Sequence, residues 1–169
     1  MNITIRQTIP EEAEILATIQ KAAFKPLWEA YHDEGNPYLR GVEDILCRFN
    51  EKNRYFTILC DGEIVGGILY RVSGKRSPWD VLAEGEYYLA RVYVKPELQG
   101  QHIARTAIRL CEREFPDAIA YYVDFPEDLE KNRRCYESVG YRDTGKRICM
   151  DGAPPLAMFE KIIQKEDAV

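Results

Sequence analysis

Val92-Tyr93-Val94-Lys95-Pro96-Glu97-Leu98-Gln99-Gly100-Gln101-His102-Ile103-Ala104-Arg105 ends a strand, turns, and opens a helix. The strand, Glu86 to Val94, is rich in tyrosine and valine and stops at Lys95-Pro96. From Ile103, the apolar residues Ala104, Ala107, Ile108 and Cys111 recur at helical period, with Arg105, Arg109 and Arg113 on the opposite side. A helix N-terminus leaves backbone N–H groups unpaired and carries partial positive charge, so an anion fits there. Gly100 and the small Ala104 would let a pyrophosphate come close to the backbone, and Arg105 either adds a cationic contact or faces solvent. The loop lacks both the G-x-G-x-x-G of dinucleotide sites and the G-K-[ST] of P-loops. Taken alone, it reads more readily as a glycine-containing connection with no ligand.

Outward from this loop the remaining elements fall into place. Upstream, Ile3, Ile5 and Gln7 alternate as a short strand, and Thr8-Ile9-Pro10-Glu11 has the form of a capping box with proline just inside a helix. Ala13, Leu16, Ala17, Ile19 and Ala23, then Phe24, Leu27, Trp28 and Tyr31, keep helical spacing until Gly35-Asn36-Pro37. Val42, Ile45, Leu46 and Phe49 mark a second short helix. Tyr55 to Cys60 and Glu63 to Val72 are strands joined at Asp61-Gly62, a strong hairpin signal, and Ser73 to Asp80 is a loop. Downstream, Ile119 to Val123 is a strand. Asp124-Phe125-Pro126-Glu127 repeats the form of the first cap, and the helix it opens runs to Val139 with Gly140 as its C-cap. Arg142 to Cys149 and Leu156 to Ile163 are strands around a turn-rich Met150 to Pro155. The order β-α-α-β-β-β-α-β-α-β-β predicts an α/β (α+β) fold, a mixed sheet covered by helices, in one domain over 1–163 with a frayed tail over 164–169.

Composition narrows the class. The chain of 169 residues has a net charge of −5 spread along its length, which argues against a nucleic-acid binder and suits cationic partners better. The longest apolar run, Ile64 to Tyr70, is far short of the ~20 residues of a membrane span, and Met1-Asn2-Ile3-Thr4 does not open like a signal peptide. Cys47, Cys60, Cys111, Cys135 and Cys149 form an odd set with no C-x-x-C pair, which fits reduced thiols in a cytoplasm. His32 and His102 are not spaced with a cysteine as ligand pairs, so no metal site is expected.

Gln99-Gly100-Gln101-His102-Ile103-Ala104 resembles the acyl-CoA pyrophosphate loop of the GNAT superfamily of N-acyltransferases: Gln or Arg, two residues, Gly, one residue, then Gly or Ala. About thirty residues on, Cys135-Tyr136-Glu137-Ser138-Val139-Gly140-Tyr141 looks like that family's F-Y-E-K-x-G-F segment. The order of elements is also similar, from first strand to final hairpin. The resemblance implies a single-domain fold with a mixed, mostly antiparallel sheet. It implies direct transfer of an acetyl group from acetyl-CoA to a primary amine within a ternary complex, without a metal.

The resemblance also implies roles for residues. Val92, Tyr93 and Val94 match the strand whose backbone pairs with the pantetheine amides, and Gln99, Gly100, Gln101, His102, Ile103, Ala104 and Arg105 match the loop that holds the pyrophosphate. Tyr136 matches the tyrosine that donates a proton to the coenzyme A sulfur; its alternative is a core aromatic. An alkylamine with a pKa near ~10.4 is protonated at neutral pH and cannot attack, so a base is needed. Glu86 and Asp124 are the two carboxylates at family positions for that base. Glu86 could equally be a strand-end charge, and Asp124 the oxygen capping a helix at Phe125. Phe24 to Tyr38 corresponds to the helix–loop over the acceptor site, where Trp28, Tyr31, His32, Asp33 and Tyr38 either shape an amine pocket or pack as core and surface. His102 stands at the family's second glycine position. Leu129 replaces an asparagine, and Asn132, on roughly the same helix face, either takes over its pantetheine contact or is an ordinary exposed helix residue. These departures keep open a second reading, a CoA-binding sensor or regulatory module without efficient transfer. Pairing through the last strands, common in the family, would allow a homodimer.

Overall fold

In the computed structural model, which describes residues 1–76, 80–149 and 151–164, the elements follow the expected order. They are β1 (Ile3–Gln7), α1 (Ala13–Tyr31), α2 (Val42–Leu46), β2 (Asn53–Cys60), β3 (Glu63–Arg71), β4 (Glu86–Val94), α3 (Ile103–Glu112), β5 (Ala120–Pro126), α4 (Glu130–Ser138), β6 (Arg142–Ile148) and β7 (Leu156–Ile162). Beyond Gln164 the expected tail lies outside the described residues, as do residues 77–79 of the expected loop and Met150 of the last turn.

Seven strands form one sheet in the order β1-β2-β3-β4-β5-β7-β6. All neighbours are antiparallel except β4 and β5, which run parallel because α3 carries the chain back across the sheet. Alternation along the strands sends side chains to two faces. On one face Tyr87, Leu89, Tyr121, Val123 and Phe125 meet Ile103, Ala107 and Ile108 of α3 and Tyr136 of α4. On the other, Leu69 and Tyr93 meet Ala13, Leu16, Ala17 and Ile19 of α1 and Ile45 of α2. That second face carries a half-buried polar knot. Arg91 Nη1 donates to Asp44 Oδ2 at 2.6 Å and to Gln20 Oε1 at 2.9 Å, tying α2 and α1 to β4.

β4 is bulged. Its register on β3 runs from Gly66↔Val94 to Leu69↔Arg91 and then jumps to Tyr70↔Leu89, leaving Ala90 as the extra residue. The two strands approach so closely near Gly66 that a Cβ there would lie 2.1 Å from the Tyr93 carbonyl oxygen. Gly66→Ala is therefore expected to cost about 2–3 kcal/mol by forcing the backbones apart. Chemical denaturation would read that cost, which corresponds to a Tm lower by roughly 4–12 °C.

Two local readings of the sequence are corrected. Thr8 does not cap the first helix: its hydroxyl bonds the Thr57 hydroxyl at 2.8 Å, Ile9 is the N-cap, and one 3-10 turn, Pro10–Glu12, precedes α1. Asp124 does not cap a helix at Phe125. β5 continues to Pro126 because Phe125 is buried in the core and Asp124 and Phe125 pair with Met158 and Ala157 of β7. The helix starts later, at Glu130, with Leu129 as N-cap and no side-chain cap.

Candidate active site

Parallel pairing between β4 and β5 covers only Glu86↔Ala120, Tyr87↔Tyr121 and Tyr88↔Tyr122. Beyond those pairs the strands part, so Leu89 to Val94 has β3 on one side and no strand on the other. An extended amide-bearing chain could take up the hydrogen bonds a neighbouring strand would have made. Val92, Tyr93 and Val94 lie on this open stretch.

The open edge leads to the loop before α3. Gln99 is folded back onto β4, its Nε2 donating to the Val94 carbonyl at 3.1 Å. Gly100 adopts φ +83° with nothing within 4 Å of where a Cβ would sit. His102 has φ 64°, the left-handed region that favours glycine, and is the N-cap of α3 with its side chain exposed. A glycine belongs at such a backbone position, and His102 keeps that loop shape with its side chain exposed. The backbone N–H groups of residues 100–105 donate to no described residue; the first α3 bond runs from Thr106 N–H to the His102 carbonyl, 3.2 Å. This cluster of free N–H groups at a ten-residue helix suits a pyrophosphate, so the residues present fit the pyrophosphate end of coenzyme A. Arg105 lies close enough to Cys135 of α4 to pull down that thiol's pKa, which burial raises first. Asn132 is half-buried on α4.

The three acid–base candidates occupy different places. Tyr136 is 6 % exposed on the α3/α4 face, its ring against Phe125 (centroids 5.2 Å apart) and Tyr141 (5.8 Å). Its hydroxyl bonds to no described residue, and burial holds its pKa well above the ordinary phenol value. Asp124 is on the opposite face, two residues past the last β4–β5 pair. Its Oδ2 accepts the Tyr88 O–H at 3.2 Å. Burial raises its pKa, while the Tyr88 hydrogen bond and the Arg76 charge pull it down and Asp80 pushes it up. Glu86 is at the closed end of the pair, where the Ala83 N–H donates to Oε1 at 2.7 Å and the Tyr122 hydroxyl donates to Oε2.

The helix–loop residues are only partly gathered. Trp28 contacts the rings of His32 (5.0 Å) and Tyr38 (6.1 Å), and the Lys21 ammonium is 5.2 Å from the Tyr38 ring centre. Asp33 instead closes a turn by accepting the Gly35 N–H at 3.0 Å. Tyr31 reaches away, its hydroxyl donating to Asp128 Oδ2 at 2.6 Å in the segment after β5. Sequence reasoning had not singled out Tyr88, Arg76 or Asp128. For Tyr88 a signal existed: Glu86 and Tyr88 on one strand and Tyr122 and Asp124 on the next share a parity and so a face.

Residues 16–141 match the acetyltransferase (GNAT) family. The chain is a GNAT acetyltransferase. No curated protein sequence matches it. Among solved structures the GNAT chain is similar to PaiA N-acetyltransferase from Thermoplasma acidophilum in complex with coenzyme A, at TM-score 0.73 and 18 % identity, over 96 % of this chain and 100 % of that one. It is also similar to AAC(6')-Ib in complex with ribostamycin and coenzyme A, at TM-score 0.76 and 13 % identity, over 99 % and 97 % of the two chains. A third similarity is to the ribosomal-protein-S18-alanine N-acetyltransferase from Escherichia coli, at TM-score 0.71 and 14 % identity, over 96 % and 95 %. At these identities the likeness is one of fold. Among the described residues no group of His, Cys, Asp and Glu could hold a metal ion, and no helix is long and apolar enough to cross a membrane.

Proposed function

We propose that this acetyltransferase uses acetyl-CoA to acetylate a primary amine by direct attack. The observation that carries the proposal is the split between β4 and β5, with Asp124 beside it on one face of the sheet and Tyr136 on the other. Acetyl-CoA supplies the thioester. The backbone of Val92, Tyr93 and Val94 binds its arm, the N–H groups of Gly100, Gln101, His102, Ile103, Ala104 and Arg105 hold its pyrophosphate, Gln99 braces the loop, and Asn132 borders the arm. Asp124 takes the proton from the amine, and Tyr136 gives one to the sulfur. Glu86 is the less available of the two carboxylates because both of its oxygens are engaged, by the Ala83 N–H and the Tyr122 O–H. Trp28, His32 and the Tyr31–Asp128 bridge border the acceptor's side. Ribostamycin is the ligand of one solved neighbour and alanine the named target of another, so amines are the first acceptors to try.

Saturating acetyl-CoA, at about one hundred times Kd, should stabilise the folded chain by about 2.7 kcal/mol. The expected Tm rise is roughly 5–11 °C for a chain of this size. A calorimetric scan with no shift would remove the cofactor assignment. Thiol release from acetyl-CoA is then measured with a panel of a diamine, an aminoglycoside and a peptide beginning with alanine. Turnover above hydrolysis supports transfer; saturable binding with no release across the panel would favour the sensor reading instead.

A further inference from the structure

The parallel ladder between β4 and β5 ends at the pair Tyr88↔Tyr122, and Asp124 is the next residue on its face of β5. Tyr88 reaches forward across this vertex, its hydroxyl donating to Asp124 Oδ2 at 3.2 Å. It is the only described side chain that hydrogen-bonds Asp124. The Asp124 Oδ1 atom accepts from no described residue, so one oxygen is held and the other is uncommitted. Around the carboxyl stand Tyr88 from β4 and Arg76 and Asp80 from the β3–β4 connection; its β7 partner, Met158, carries no charge. Arg76 is drawn elsewhere: it pairs with Asp80 and lies 3.8 Å over the Tyr122 ring, with no ion pair to Asp124.

We propose that Tyr88 is the positioning residue of the amine-side base, holding Asp124 Oδ2 across the vertex of the split so that Oδ1 is the oxygen that takes the proton. This rests on the reading of Asp124 as base given above. Two consequences follow from the chemistry of the bond. A hydroxyl donated to a carboxylate favours the charged form, so Tyr88 offsets part of the upward pull that burial exerts on the Asp124 pKa. It also fixes the carboxyl plane, since one oxygen is tied to a side chain on the neighbouring strand.

The test is a titration of the full chain labelled with ¹³C at the aspartate carboxyls, the Asp124 signal being the one absent in Asp124→Asn. In Tyr88→Phe, which keeps the ring, the Asp124 pKa is expected to rise by about one pH unit, the scale of a lost hydrogen bond to a charged group. The acid limb of kcat/KM for the reactive amine of the panel should move up with it. Should Tyr88→Phe fold poorly, fluorination of Tyr88 beside its hydroxyl strengthens the donor and should move the Asp124 pKa down. An unmoved Asp124 titration, with Asp124→Asn still impaired in turnover, overturns the role of Tyr88 and leaves the base in place. Undiminished turnover in Asp124→Asn overturns the base and this inference with it.

Discussion

Asp124→Asn is expected to lower kcat/KM by ~10²–10⁴-fold, the scale of a lost general base, while leaving the protein at least as stable as before. The two halves of this expectation have one cause. Burial raises the Asp124 pKa, so the folded state disfavours the carboxylate more than the unfolded chain does. For an acid whose folded pKa is raised, the linkage runs against stability: nothing is lost at pH below both values. As pH climbs past the unfolded value of ~3.9, the ionised group begins to destabilise the fold, and the penalty is complete above the raised folded value. Asparagine has a similar shape and no charge to desolvate, so it removes that penalty at neutral pH. Its amide can also accept the Tyr88 hydroxyl. A residue whose removal destroys activity and preserves or raises Tm is retained for chemistry rather than for folding. Thermal denaturation at pH 4 and pH 7.5 checks the sign: the advantage of the variant over the parent should be larger at pH 7.5. A variant that loses Tm at pH 7.5 would show that Asp124 is held there for structure.

Much of this arrangement was legible from residues alone because it is local. The strand from Glu86, the turn through Gly100 and the helix from Ile103 are each specified within a dozen residues, and the structure draws them within a residue or two of the expected bounds. Local signals also misled. Asp124-Phe125-Pro126-Glu127 has the letters of a helix cap, yet Asp124 stays in a strand because Met158, more than thirty residues downstream, supplies the partner β7. Thr8 has the letters of a capping box, and its hydroxyl is taken by Thr57 across the sheet. A cap contributes ~1 kcal/mol, and a buried ladder with a core aromatic such as Phe125 outweighs it.

What could not be read were contacts that only the assembled fold creates. Arg91 meets Asp44 across 47 positions, and Tyr31 meets Asp128 across 97. No spacing rule connects such pairs. The bulge at Ala90 is similarly silent in the sequence, since it arises from a register set jointly by β3 and β4. His102 is the instructive intermediate. As a letter it is a departure from a glycine pattern; as a backbone at φ 64° it does what that glycine would do.

Tyr136→Phe is expected to lower kcat by ~10²-fold or more with the KM for acetyl-CoA changed less than about threefold. The substitution removes one oxygen and nothing else. Phenylalanine keeps the ring that packs on Phe125 and Tyr141, so the core of this face is unchanged. The Tyr136 hydroxyl bonds to no described residue, so its loss orphans no partner, and stability should hold within about 0.5 kcal/mol. The same burial that isolates the hydroxyl raises its pKa, so it remains protonated across the working pH range, as a proton donor must be. The leaving thiolate forms only as the bond to the acetyl group breaks, so a donor to it acts in the transition state and not in the bound complex. Loss of that donor therefore falls on kcat and not on affinity. Steady-state kinetics with acetyl-CoA varied against a fixed, saturating amine separates the two. An unchanged kcat would take Tyr136 out of the mechanism and leave it as packing for Phe125. A raised KM at unchanged kcat would make it a binding residue for the coenzyme arm.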